Sequence, residues 1–268
     1  MENGGTASGQ PPNWRVHGRH RSHRQGDETP RPGLDSSIAN TTTAAVWRRL
    51  GCVLKKREGW YTEAMAKTKP HTKEERALRA DGHLYIAGVD EAGKGSWAGP
   101  LVAAAVILPV DFTARLVNDS KQLTPKTREK MFVHITRQAV SWAVGVVPPQ
   151  YIDRNGIVAA NKKAMLDALK RLHIRPQAVL VDAVRIKYGK KPVKSIIDGD
   201  AKVLSIAAAS IVAKVVRDEL MNSEHRLYPK YEFHLHKGYG TRRHHTLLKQ
   251  HGISPIHRRS FRPIKELA

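Results

Sequence analysis

Four acidic residues stand at the ends of apolar segments, where side chains from separate elements can meet. Asp90 and Glu91 close the segment LYIAGV, Asp182 follows AVLV, and Asp200 precedes the largely apolar stretch AKVLSIAAASIV. Converging carboxylates can hold two divalent cations, which activate water and stabilise the leaving oxygen of a phosphodiester. Ligand sets made only of oxygen favour Mg²⁺ or Mn²⁺. The acids therefore predict a two-metal hydrolytic site.

Each acid also has a plainer explanation that the sequence leaves open. Asp90 and Glu91 can belong to a solvated hairpin turn, and Asp182 can cap a turn or a helix. Asp200 can be the N-cap of the helix that follows it. These residues are distant in the chain, so the two-metal hypothesis requires a fold that brings them together.

A glycine-rich loop follows the first acidic pair. Gly93 and Gly95 flank Lys94, which lets the backbone approach a phosphate closely beside a cation. The P-loop pattern fails because Gly95 stands where Ser or Thr is needed, and the dinucleotide pattern fails because Gly99 comes one position late. The loop therefore predicts phosphate contact without either nucleotide-binding motif.

Apolar periodicity predicts alternating strands and helices around these residues. Residues 84–104 predict a strand, a turn and a second strand, and the apolar run of the second strand is 101–108. Two further predicted strands are 141–147 and 178–181. One helix begins at Thr124 and Pro125 and runs to about Ala139. Further helical faces comprise Val158, Met165, Leu169 and Leu172, and then Val203, Ile206, Ala207, Ser210 and Ile211. The pattern is typical of an α/β fold with a mixed sheet and helices packed on it.

The chain is strongly basic, which favours a polyanionic partner. Its 46 Lys and Arg residues exceed its 24 Asp and Glu residues, and the formal net charge is +22. Residues 65–268 carry 36 basic and 18 acidic residues, so the charge belongs mainly to that part. A histone-like or ribosomal protein would share this balance, and only the placement of the acids argues against one.

Cysteine and histidine content favours neither disulfides nor zinc. The single Cys52 excludes an internal disulfide framework and a cysteine-based zinc site, and is typical of the reducing cytoplasm. His234, His236, His244 and His245 lack the spacing of a zinc site, and we interpret them as a basic surface. No run approaches the roughly 20 apolar residues of a membrane helix, so we expect a cytoplasmic protein without membrane contact.

Composition divides the chain into three parts. Residues 1–64 are rich in Gly, Pro, Thr, Arg and His without a sustained period. They predict either a disordered basic tail or a start assigned too far upstream, with Met65 as the second candidate start. Residues 65–83 predict a polar lead-in helix. Residues 84–268 predict the catalytic domain.

Six segments taken together resemble the ribonuclease HII family. They are GVDEAGKGSWAGPLVAAAVIL, NDSKQLT, VLVDA, GDAKVLSIAAASIVAKVVRD, KGYGT and HRRSF, in the family's order, across nearly all of residues 84–262. The resemblance implies a ribonuclease H-like fold: a hairpin leading a mixed five-stranded sheet flanked by helices, with a helical C-terminal extension from about residue 220. It also implies hydrolysis on the 5′ side of a ribonucleotide, leaving 3′-hydroxyl and 5′-phosphate ends, in RNA–DNA hybrids and in duplex DNA with embedded ribonucleotides.

The resemblance assigns roles to particular residues. It implies that Asp90, Glu91, Asp182 and Asp200 are the catalytic, metal-binding acids for two Mg²⁺ or Mn²⁺ ions. The residues implied to bind substrate are the turn Gly93, Lys94 and Gly95, together with Tyr239, Lys121, Ser210 and Lys214. Arg258 and Arg259 are further candidate phosphate contacts. Contacts of this kind set affinity without reading base sequence.

Lys94 departs from the family's usual arginine. Lysine keeps the charge but lacks the planar fork of arginine, so a bidentate side-chain contact to phosphate at the DNA–RNA junction would be weakened. The sister family, ribonuclease HIII, has Gly-Lys-Gly at this place and prefers longer hybrids, but its folded N-terminal domain is not resembled by residues 1–83. The alternatives to a ribonuclease HII are therefore a hybrid-only nuclease and a non-enzymatic basic nucleic-acid-binding protein. We expect a monomer without an obligate protein partner.

Overall fold

A five-stranded mixed sheet forms the centre of the molecule. The computed structural model describes residues 69–112 and 123–267. The strands are β1 (Ile86–Ala92), β2 (Leu101–Ile107), β3 (Ser141–Val147), β4 (Ala178–Asp182) and β5 (Val193–Ile196). Their order is β3-β2-β1-β4-β5; β1 pairs antiparallel with β2 and parallel with β4, and β5 pairs parallel with β4. The predicted hairpin and mixed sheet are confirmed.

Helices cover both faces of this sheet. They are α1 (Lys73–Ala80), α2 (Pro125–Gln138), α3 (Pro149–Arg171), α4 (Gly199–Lys202), α5 (Leu204–Leu227), α6 (Phe233–His236), α7 (Arg242–His251) and α8 (Arg262–Lys265). Helix α1 lies inside the predicted lead-in segment. Helix α2 begins as predicted, since the Thr124 hydroxyl accepts a hydrogen bond from the Thr127 backbone N–H at 3.2 Å.

The central strand β2 shows why its sequence is apolar without alternation. Val102, Ala104 and Val106 pack in the cluster formed with α2 and α5. Leu101, Ala103, Ala105 and Ile107 pack in the cluster formed with α3 on the opposite face. Because both faces are covered, every residue of β2 is buried.

Two glycines let helices approach the sheet backbone. A Cβ at Gly88 of β1 would lie 2.1 Å from the backbone carbon of Ser205, at the start of α5. A Cβ at Gly145 of β3 would lie 2.0 Å from the backbone oxygen of Ala164 in α3. Both contacts exclude a side chain. The contact at Gly88 holds α5 against the strand that carries Asp90 and Glu91, and the contact at Gly145 holds α3 against β3.

Two predicted helical segments differ from the structure. Val158 was predicted to lie on a buried face but is 63% exposed. Gly156 has a non-helical backbone that breaks α3, and the first buried position after the break is Ala160. The helix predicted to begin at Asp200 is interrupted at Val203, whose extended backbone separates α4 from α5.

The C-terminal region is helical as predicted and packs on the glycine-rich loop. The Trp97 N–H donates to the Gly238 carbonyl at 2.8 Å, and the Gly99 N–H donates to the Ile256 carbonyl at 2.9 Å. A separate core cluster that includes Ala98 and Met221 lies beneath these contacts. None of the helices in the described ranges combines the length and apolar character that crossing a bilayer needs.

Candidate active site

A cleft of about 250 Å³ opens at the carboxyl ends of the parallel strands β1 and β4. Nine of the predicted site residues line it, together with Ala92. The lining residues are Asp90, Glu91, Ala92, Gly93, Lys94, Gly95, Asp182, Ser210, Lys214 and Tyr239. Strand pairing therefore brings together acids that are about 90 positions apart in the chain.

Asp200 is placed differently from the other three acids. Asp200 is buried in α4 and is not among the lining residues. Its neighbour Gly199 connects α4 to the cleft, because the Gly199 N–H donates to Asp182 Oδ1 at 2.7 Å. The capping role considered for Asp200 is wrong, since Asp198 occupies the N-cap position of α4. Lys121 lies outside the described residues.

The acids of the cleft are held in an environment that disfavours negative charge. Burial raises the pKa of Asp90 well above its usual value, and the charges of Glu91 and Asp182 raise it further. Burial also raises the pKa of Glu91, while Lys94 and a hydrogen bond with the Asn161 side chain lower it. Crowded carboxylates of this kind are stabilised by a cation placed among them.

The residues of the cleft fit a hard divalent cation in their donor chemistry. The buried Glu91 Oε2 has no hydrogen-bond partner within the described part of the chain, and Asp90 and Asp182 supply further carboxylate oxygens. Within residues 69–112 and 123–267, no three His, Cys, Asp or Glu side chains are arranged to hold a metal ion. Cation binding at this cleft therefore requires adjustment of the carboxylates or ligands from substrate and water.

The two glycines of the loop are needed for different reasons. Gly93 has φ +89°, and a Cβ there would lie 1.8 Å from Arg217 Nε. At Gly95 a Cβ would meet no heavy atom within 4 Å, although this residue lines the cleft. Gly93 is therefore required by the fold, whereas Gly95 leaves room for a ligand.

A buried arginine missed in the sequence holds this loop. Arg217 of α5 is fully buried and donates to the carbonyls of Pro100 at 3.1 Å, Ala98 at 3.3 Å and Lys237 at 3.0 Å. The sequence signal for this role is a basic residue among apolar residues in α5. A charged side chain on a buried helical face needs hydrogen-bond partners, so the pattern indicates a buried, partnered arginine.

Arg258 also positions the loop, which corrects the interpretation of this residue as a phosphate contact. It is fully buried, and it donates to the carbonyls of Lys94 at 2.9 Å and Gly99 at 3.1 Å. Arg259, the other candidate, is exposed. The C-terminal region therefore fixes the backbone of the glycine-rich loop from behind.

Helix α5 presents polar and cationic groups to the cleft beside Tyr239. Ser210 hydrogen-bonds Asp90, which lowers the pKa of that carboxyl against the effect of burial. Lys214 Nζ lies 5.4 Å from the centroid of the Tyr239 ring, and Arg217 Cζ lies 5.1 Å from it. Both cations are within the range of cation–π attraction, so the ring is held over α5 at one wall of the cleft.

Buried histidines form a hydrogen-bonded array behind Tyr239. His257 Nδ1 accepts from the Ser254 N–H at 2.9 Å, which leaves its proton on Nε2. His257 Nε2 is 3.0 Å from His244 Nε2, and His244 Nδ1 is 2.9 Å from the Tyr239 carbonyl. In the arrangement that satisfies every ring nitrogen, His257 donates to His244 and His244 donates to Tyr239. The array therefore fixes the backbone of Tyr239.

This array corrects the interpretation of the histidines as a basic surface. His236 and His244 are buried and stack with ring centroids 4.2 Å apart, whereas His234 is exposed. Burial lowers the pKa of His244 to about 3 and the pKa of His257 to about 4. Both imidazoles are therefore neutral at pH 7 and serve as structural hydrogen-bonding groups.

Comparison with known proteins identifies the family. The family described as Ribonuclease HII matches residues 87–264. This chain belongs to the ribonuclease HII family. The ribonuclease HII of Desulfitobacterium hafniense (strain DSM 10664 / DCB-2) is 52% identical over 194 residues, 72% of this chain and 75% of the relative. The ribonuclease HII of Roseiflexus castenholzii is 48% identical over 209 residues, 76% of this chain and 93% of the relative.

A solved structure agrees with this assignment. The ribonuclease H2 of Pyrococcus horikoshii OT3 superposes with a TM-score of 0.60 at 30% identity, covering 68% of this chain and 96% of that protein. The predicted ribonuclease H-like fold is confirmed, and the chain is an endoribonuclease of the ribonuclease H type. The alternative of a non-enzymatic basic binding protein is therefore wrong.

Replacing each glycine of the loop by alanine should separate fold from ligand contact. Gly95→Ala adds a methyl group in open space, so we expect the free energy of unfolding to change by less than about 0.5 kcal/mol. The same methyl lies in the cleft, so cleavage of a ribonucleotide-containing duplex should fall about 10- to 100-fold. Gly93→Ala should destabilise the protein by about 1–3 kcal/mol. Denaturant unfolding and initial cleavage rates of the two variants test these expectations. Full activity of Gly95→Ala would contradict a ligand contact at Gly95.

The histidine array predicts a specific sensitivity to acid. The folded-state pKa of His257, about 4, lies below its ordinary value of 6.5, so protonation favours unfolding. The stabilisation is complete above about pH 6.5 and is lost as the pH falls towards 4. Glutamine at position 257 keeps an acceptor for Ser254 and a donor for His244 but does not titrate.

The stability of the wild-type protein relative to His257→Gln should therefore decrease by about 1.4 kcal/mol per pH unit between pH 6 and pH 5. Denaturant unfolding of both proteins at pH 7, 6 and 5 measures this difference, in which the opposing titrations of Asp90 and Glu91 cancel. Parallel pH profiles for the two proteins would show that His257 is not a buried neutral base.

Proposed function

We propose that this chain is a metal-dependent endonuclease that hydrolyses the phosphodiester on the 5′ side of a ribonucleotide, in RNA–DNA hybrids and in duplex DNA with embedded ribonucleotides. The products carry 3′-hydroxyl and 5′-phosphate ends. The observation that carries the proposal is the single cleft shared by Asp90, Glu91 and Asp182, the glycine-rich loop and Tyr239. Carboxylates for cations and backbone for a phosphate thus occupy the same small volume.

The acids are the proposed catalytic and metal-binding groups. Asp90, Glu91, Asp182 and Asp200 would hold two Mg²⁺ or Mn²⁺ ions, which supply activation of water and stabilisation of the leaving oxygen. Ser210 and the Gly199 N–H orient two of these carboxylates by hydrogen bonds to Asp90 and Asp182. Asp200 follows Gly199, whose backbone N–H donates to Asp182, so its helix is joined to the cleft by that contact.

The remaining cleft residues are proposed to recognise the sugar and the flanking phosphate. The open space at Gly95 admits a ribose, and the loop amides around Gly93 and Lys94 approach its 2′-hydroxyl. Tyr239 and Lys214 line the cleft. Tyr239 is proposed to pack on the neighbouring deoxyribose, and Lys214 is proposed to contact phosphate. Lys121 is proposed as a phosphate contact from the sequence alone. None of these groups reads base edges, so base-sequence preference should be slight.

A second candidate function is a preference for longer hybrids, as in ribonuclease HIII. Lys94 Nζ lies 3.5 Å from Glu91 Oε1, so its charge is directed towards an acid of the cleft. An arginine at this position would have a planar fork with several donors for a phosphate. The weaker phosphate contact of Lys94 favours substrates that gain affinity elsewhere along a hybrid. Action as a monomer without an obligate protein partner stays a prediction.

Cleavage of defined duplexes tests the proposed function. One labelled DNA duplex carries a single ribonucleotide and a second has one strand entirely of RNA, each incubated with Mg²⁺, with Mn²⁺ or with EDTA. We expect a cut on the 5′ side of the lone ribonucleotide that EDTA abolishes. Cleavage confined to the hybrid would favour the second candidate, and cleavage in EDTA would exclude a metal-dependent reaction.

Asp90→Asn should separate catalysis from stability. The substitution removes a cation ligand, so cleavage should fall more than about 1,000-fold. It also removes a buried charge repelled by Glu91 and Asp182, so the midpoint of thermal unfolding in EDTA should stay equal or rise. The matched control is Asp111→Asn, which makes the same change at an exposed position outside the cleft. Retained cleavage in Asp90→Asn would remove Asp90 from the catalytic set.

A further inference from the structure

A second concave surface lies at the edge of the sheet next to β5. It measures about 770 Å³ and is built by α3, by the connection from β4 to β5 and by β5 itself. Its lining residues are Lys162, Leu166, Arg185, Ile186, Lys187, Val193, Lys194 and Ser195. Four of these eight residues are cationic and none is acidic. We call this surface the lateral basic groove.

Most of the positive charge in the groove is not neutralised by the protein. Lys194 pairs with Glu74 at 2.5 Å, but in residues 69–112 and 123–267 no acidic side chain forms an ion pair with Lys162, Arg185 or Lys187. All three side chains are exposed. Three exposed cations that face one concavity repel one another and attract anions, and an anion bound between them would relieve that repulsion.

The groove adjoins the catalytic cleft along the chain at two points. Arg185 follows Asp182, the acid at the end of β4, by three residues. Lys162 follows Asn161 directly in α3, and the Asn161 side chain hydrogen-bonds Glu91 in the cleft. The cations of the groove are therefore tied to the elements that hold two of the cleft acids.

The composition of the groove indicates which anion it fits. It has no aromatic lining residue on which a base could stack, and its apolar members Leu166, Ile186 and Val193 are aliphatic. Flexible Lys and Arg side chains can pair with phosphates, and the aliphatic side chains between them can pack against the sugars of the same strand. A nucleic-acid strand carries one phosphate per about 3.4 Å of helix axis, so a duplex bound in the cleft offers several phosphates to neighbouring cations.

We propose that the lateral basic groove binds the phosphodiester backbone of the same duplex that is cut in the catalytic cleft, away from the scissile bond. The proposal rests on the proposed function of the cleft. The groove adds affinity and fixes the direction of the duplex across the sheet edge, and it reads no base sequence. Lys190 and Lys191, both exposed and in the same connection, extend the positive surface beyond the groove.

A charge-removal variant tests the groove directly. The variant Lys162→Ala, Arg185→Ala, Lys187→Ala removes three exposed cations from it. The matched control Lys170→Ala, Arg175→Ala, Lys249→Ala removes three exposed cations outside it. Binding to a labelled ribonucleotide-containing duplex is measured in EDTA across a range of NaCl concentrations.

Each lost phosphate contact lowers the slope of log K against log salt by about 0.9. The groove variant should therefore lose about 2–3 units of slope, while the control keeps the wild-type slope. Equal slopes for the groove variant and the wild-type protein, or equal losses in the two variants, would overturn the proposal. Unchanged unfolding midpoints of both variants confirm that binding and not folding is compared.

Cleavage rates keep this proposal distinct from the function of the cleft. With Mg²⁺, the groove variant should cut a long duplex with an increased KM and an unchanged kcat, because its cleft is intact. Shortening the duplex around the ribonucleotide should increase the KM of the wild-type protein and leave the KM of the groove variant little changed. If the wild-type protein does not cut either duplex, the proposed function of the cleft fails. If the wild-type protein cuts and the groove variant has the same KM, only the proposal for the lateral basic groove fails.

Discussion

The buried guanidinium of Arg217 is the interaction on which the shape of the cleft depends. It joins α5 to the carbonyls of Ala98 and Pro100 after the glycine-rich loop and to the carbonyl of Lys237 near Tyr239. A buried charge is costly unless its donors are satisfied; three carbonyls and the Tyr239 ring offset part of that cost, while Arg217 Nη1 has no hydrogen-bond partner in the described part of the chain. Gly93 lacks a side chain because the guanidinium occupies the place where its Cβ would lie. The loop, the helix and the tyrosine are therefore joined through one side chain.

The acids of the cleft impose the opposite requirement. Asp90 and Glu91 are buried beside Asp182, and their raised pKa values show that the folded protein disfavours their charges. A carboxylate in this environment does not stabilise the core. A carboxylate that binds a cation, however, gains affinity for the cation from the same crowding. Arg217 and Arg258 hold the glycine-rich loop beside these carboxylates through hydrogen bonds to backbone carbonyls.

Sequence reasoning succeeded where the determining signal is local. Helix α2 begins as predicted because Thr124 caps its own first turn, and Asp182 ends β4 because the apolar run ends there. It failed where distant residues decide the environment. The burial of His244 and Arg258 comes from packing between the C-terminal region and the glycine-rich loop, which no local pattern encodes. The break at Gly156 likewise left Val158 exposed despite its helical spacing. Three of the four predicted acids meet in the cleft because the ends of apolar strands are visible in sequence, whereas Arg217, which holds the adjoining loop, gave no local signal that the sequence analysis used. The catalytic roles of these acids stay a prediction.

The parallel pairing of β1 with β4 also determines when the cleft can exist. Ala87 pairs with Val179 across more than 90 intervening residues, so closure of that pair must await synthesis of β4 and the ordering of the chain between them. Until then Asp90 and Asp182 are on separate, fluctuating segments. The proposed cation site is therefore a property of the paired strands and is absent from any chain in which β1 and β4 have not yet met.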